Sequence, residues 1–100
     1  MLSLEPIYLE EILTILKSHL KNCDIFAFGS RVSGTYQKFS DLDIVIKGTD
    51  EISPEVINSL KEAFSLSSIP ISVDIVDYHA VSDQFKSVLD NSEKTLLIRL

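Results

Sequence analysis

Two stretches of alternating side chains, separated by a segment of helical character, restrict this chain to very few folds. In Asp41-Leu42-Asp43-Ile44-Val45-Ile46, alternation sends Leu42, Ile44 and Ile46 to one face and Asp41, Asp43 and Val45 to the other. In Ile71–Asp77, Ile71, Val73 and Ile75 oppose Ser72, Asp74 and Val76 in the same way. The intervening residues open on Ser53-Pro54-Glu55, a capping serine with proline at the first helical position, and carry Val56, Ile57, Leu60, Ala63 and Phe64 along one side. Strands joined by such a crossover run parallel in one sheet. If they are neighbours, Asp43 and Asp74 lie at matching depth.

The carboxylates are the unusual part of that pattern. Asp41 and Asp43 share a face with Cα atoms about 6 to 7 Å apart, close enough to reach one ion. Two like charges at the mouth of an aliphatic strand repel, and they displace better strand formers, so a purely structural role is poorly motivated. Hard divalent cations such as Mg²⁺ take carboxylate oxygens, keep several waters and draw further ligands from substrate phosphates. Asp74 would complete a metal cluster or accept a proton from a hydroxyl. Asp77 faces the other way and reads as a cap or turn residue.

Just before the first aspartates, Ile25 to Phe28 is an apolar run closed by Gly29-Ser30, with Gly34 following. Glycine permits positive φ and close approach of a ligand to the backbone, and serine adds a hydroxyl beside exposed N–H groups. Such a turn is a candidate phosphate cradle, although Gly-Ser is also an ordinary turn dipeptide. Because Gly29 ends one strand and Asp41 begins the next, donors and carboxylates meet at one sheet edge. Arg31 and Lys38 flank that edge, as phosphate contacts or as solvated charge; Tyr36 and Phe39 pack under the loop or stack on a base.

The remaining elements are conventional. A first helix is expected from Leu4 to Lys21, with Ser3 as a possible cap, Pro6 in its first turn and a stripe of Leu9, Leu13, Leu16 and Leu20 widened by Ile12. A helix from Ser82-Asp83 to Asp90 follows the last alternating strand. The apolar end, Thr95 to Leu100, is expected either to pack on the first helix or to meet another chain. The lone Cys23 excludes an internal disulfide and a thiolate metal site. Hydrophobic residues at 45% and charged residues at 24% describe an ordinary globular protein, expected to be one domain over residues 1–100, cytoplasmic and without a membrane span. A net charge of −6 argues against long nucleic acid as a partner, since that affinity comes from neutralised phosphates.

Gly29-Ser30, Gly34, Ser40-Asp41-Leu42-Asp43 and a later Asp74 on a strand together resemble the DNA polymerase beta-like nucleotidyltransferases, most of all the minimal nucleotidyltransferase (MNT) domains, over essentially the whole chain. The resemblance implies an α/β (α+β-like) fold, a small mixed sheet of three to four strands with helices packed on it. It implies transfer of AMP from ATP with two Mg²⁺ ions: Asp41 and Asp43 holding both, Asp74 completing the site at the nucleophile, and Gly29, Ser30, Arg31 and Gly34 serving the triphosphate. MNT proteins are typically antitoxins paired with a HEPN-domain ribonuclease, which implies a toxin partner, a hetero-oligomer and a tyrosine acceptor. Two alternatives stay open: an antitoxin that neutralises by binding alone, and a small-molecule nucleotidyltransferase of the aminoglycoside-modifying kind.

Overall fold

The computed structural model describes residues 4–29 and 41–100. Helix α1 (Pro6–His19) leads into β1 (Cys23–Phe28); β2 (Leu42–Gly48), α2 (Pro54–Ser65) and β3 (Val73–Asp77) form the crossover unit. A 3₁₀ turn (Tyr78–Ala80), α3 (Asp83–Asn91) and β4 (Thr95–Arg99) complete the order. Among the described residues the sheet runs β3-β2-β1-β4 and is mixed: β2 and β3 are parallel, while β1 is antiparallel to both β2 and β4. The α/β class and the parallel crossover match the reading of the alternating runs.

Alternation decides which face of the sheet each residue serves. Ile25, Ala27, Leu42, Ile44 and Ile46 are fully buried and join Ile12, Leu16, Leu60 and Phe64 of α1 and α2 in one apolar cluster. The helical stripe is centred on Ile12 and Leu16, with Leu9 and Leu13 only half-buried. On the opposite face α3 is anchored by Leu89, 1% exposed, which meets Phe26 and Val45 around a cavity of about 50 Å³. Ser53 and Ser82 cap α2 and α3 by accepting from the N–H groups of Val56 and Phe85.

Some boundaries differ from expectation for identifiable reasons. α1 begins at Pro6 and ends at His19, because Glu5 and Leu20 are extended; Ser3 lies outside the described residues. Leu20 to Asn22 connect α1 to β1, with Asn22 at φ 56°, so β1 starts at Cys23 and not at Ile25. β2 continues through Gly48, two residues beyond the alternating run that ends at Ile46. The end segment is strand β4, paired with β1, and its Leu97, Ile98 and Leu100 pack against the apolar cluster that Ile12 and Leu16 of α1 join. Its partners run Asp24 to Arg99, Ile25 to Ile98 and then Phe26 to Leu96, leaving Leu97 as a bulge.

Asp77 behaves as the cap or turn residue it was read to be, with a larger reach. It is buried, and its carboxylate accepts from the N–H of Ile52 at 2.7 Å and of His79 at 3.1 Å. The loop before α2 and the turn after β3 are thereby tied together. His79 Nε2 lies 2.7 Å from the Gly48 carbonyl oxygen at this same end of the sheet, away from Asp43 and Asp74.

Candidate active site

Strand register brings the acidic groups together. Phe28 pairs with Asp43, and Asp43 with Asp74, so one row crosses β1, β2 and β3 on a single face. The row lies where β1 ends and where β2 and β3 begin. The N–H of Leu42 donates to the Ser72 carbonyl at 2.9 Å, locking the two parallel strands at that edge. Asp43 is half-buried in the middle of the row, whereas Asp74, on the outer strand, is exposed. Asp41 stands exposed one residue before β2.

The electrostatics follow from this crowding. Burial pushes the Asp43 carboxyl above its ordinary value, and the charges of Asp74 and Asp41, with a hydrogen bond to Asp74, push it further. All three carboxylates therefore act on one point, although among the described residues no three acidic, histidine or cysteine side chains are already gathered into a metal cage. The donor set still suits Mg²⁺, which needs only one or two protein carboxylates and fills the rest of its shell with water and phosphate oxygens. A cation there would relieve the repulsion that raises Asp43.

Gly29 completes the described part of the site. Its φ of +82° lies in the left-handed region, and a Cβ there would collide with the Asp43 carboxylate. Two independent requirements thus fix glycine at this position and set the end of β1 directly against Asp43. Ser30, Arg31 and Gly34 lie outside the described residues, as do Tyr36, Lys38 and Phe39.

Phe28 was read only as the close of an apolar run. Register makes it the side chain beside Asp43, a placement carried by a signal in the sequence: Phe26 and Phe28 alternate out of phase with Ile25 and Ala27. Cys23 is buried, and burial, with Asp24 nearby, pushes its thiol upward, away from thiolate chemistry. No helix among the described residues is long and apolar enough to cross a membrane.

Known proteins share this fold. The family model described as polymerase beta, nucleotidyltransferase matches residues 10–99. A Haemophilus influenzae protein named probable protein adenylyltransferase MntA is 38% identical over 76 residues, 76% of this chain and 67% of that protein. A crystal structure of a toxin–antitoxin with AMP-PNP superposes with a TM-score of 0.72 at 24% identity, over 92% of this chain and 73% of that one. The tri-AMPylated Shewanella oneidensis HEPN toxin in complex with MNT antitoxin supplies a match of TM-score 0.65 at 20% identity, over 94% and 71%. At these identities the structural matches speak to fold.

Proposed function

Because the chain belongs to the polymerase beta nucleotidyltransferase family, we propose that it transfers AMP from ATP to a tyrosine hydroxyl of a cognate HEPN-domain ribonuclease toxin, as that toxin's antitoxin. The observation that carries the reading is the row in which Asp43 and Asp74 sit across neighbouring parallel strands with Gly29 against the Asp43 carboxylate. The relative named as a protein adenylyltransferase and the fold shared with toxin–antitoxin complexes support the choice of AMP and of a protein acceptor.

In this reaction the acceptor oxygen attacks the α-phosphorus and pyrophosphate leaves. Asp41, Asp43 and Asp74 would hold two Mg²⁺ ions, which when bound supply positive charge at the attacking and leaving oxygens. The chain's own groups divide the remaining work. Asp43, in the middle of the row, is the fixed point around which the charges gather. Asp74, exposed on the outermost strand, faces the acceptor side and takes the proton of the incoming hydroxyl. Gly29 lets the Asp43 carboxylate lie against the end of β1, and Ser30, Arg31 and Gly34 would grip the triphosphate.

The test is the intact mass of the cognate HEPN protein after incubation with this chain, ATP and Mg²⁺. AMP units added by the wild type and absent with the Asp41→Asn, Asp43→Asn double variant are expected. An unmodified toxin that both proteins neutralise equally would replace catalysis with neutralisation by binding.

A further inference from the structure

A second constellation of groups stands apart from the paired carboxylates, and the reaction above does not use it. Tyr78 opens the 3₁₀ turn after β3, and its hydroxyl lies 3.1 and 3.2 Å from the two carboxylate oxygens of Asp90 in α3. Asp90 is exposed and Tyr78 half-buried, so this bond forms at the surface. The Lys47 ammonium sits 4.6 Å from the centre of the Tyr78 ring, and that of Lys86 lies 5.5 Å away. Two of the nine basic residues of an acidic chain thus converge on one phenol. A hydroxyl already donating to a carboxylate has its base in place, and cations beside it draw in a triphosphate.

Resting on the function proposed above, we infer that Tyr78 is itself an acceptor of AMP, modified by a second copy of this chain. Asp74 to Asp77 spans three steps of β3, about 10 Å at a rise of about 3.3 Å per residue, and Tyr78 lies beyond the strand's end. A copy's own carboxylates therefore cannot reach it, and transfer runs between molecules. The Tyr78 oxygen attacks the α-phosphorus of ATP held by the other copy; the new O–P bond forms as the α–β phosphoanhydride breaks. Pyrophosphate leaves, and the phenolic proton passes to the Asp90 carboxylate. The product has no hydroxyl left to donate and sets a phosphate against Asp90, so modification unties the 3₁₀ turn from α3.

The experiment mixes wild type with a mass-tagged Asp43→Asn copy, ATP and Mg²⁺, and maps AMP by peptide mass spectrometry, with modification of the cognate HEPN protein followed in parallel. AMP is expected on Tyr78 of the tagged copy, absent when that copy also carries Tyr78→Phe, and at least about tenfold slower with Asp90→Asn. Tyr78→Phe in the active copy should leave modification of the HEPN protein unchanged. AMP on the HEPN protein with none on Tyr78 overturns this inference alone, as does Tyr78 labelling whose rate per molecule is unchanged on dilution. AMP on neither protein overturns the inference together with the function it rests on.

Discussion

Asp43 holds its proton more tightly in the fold than in the unfolded chain, because burial and then Asp74 and Asp41 raise its carboxyl. The stability it contributes is fully present below the unfolded aspartate value and is lost as pH rises through the higher folded value. Above that folded value the ionised carboxylate works against the fold. In chelator, Asp43→Asn is therefore expected to be as stable as wild type or more so at about pH 7, the difference closing toward about pH 4, as read by urea denaturation. Mg²⁺ should raise the midpoint of the wild type and leave the variant where it is. Gly29→Ala tests the neighbouring constraint, since it meets both a positive φ and the Asp43 carboxylate. A loss of roughly 1–3 kcal/mol is expected from the backbone alone, and the transfer rate should fall further than stability does, because Asp43 must move aside.

At the scale of elements, the sequence made the crossover unit legible because period-two alternation and a proline-led helix leave one arrangement, and Asp43 and Asp74 are paired as that arrangement requires. Ser53 and Ser82 were equally readable, each a serine set before a helical pattern. β4 was not, and its bulge is the reason: Leu97 interrupts alternation and leaves the continuous run Leu96-Leu97-Ile98. The long-range role of Asp77 was hidden as well, since its bond to the Ile52 N–H spans 25 residues of chain. Asp77→Ala strands two donors, and a loss of roughly 1–3 kcal/mol is expected. Asp77→Asn, which keeps one acceptor, should lose less in the same denaturation experiment.

For the whole molecule, charge is the property that composition states outright. At −6, with carboxylates gathered on one sheet edge, the chain should show no binding to labelled duplex DNA by fluorescence anisotropy at about 0.15 M salt. The candidate site was readable where it lies on strands, since strand geometry converts spacing into position. The remaining candidates, Ser30, Arg31 and Gly34, show no such periodicity in the sequence, and nothing in spacing alone converts those residues into places.

The sheet order β3-β2-β1-β4 puts Asp74 on an outer strand, while Asp43 is enclosed between two others. A substitution on β2 must satisfy neighbours on both sides, but among the described residues one on β3 answers to a single strand. Tolerance to substitution should accordingly be graded across the sheet, wider around Asp74 than around Asp43.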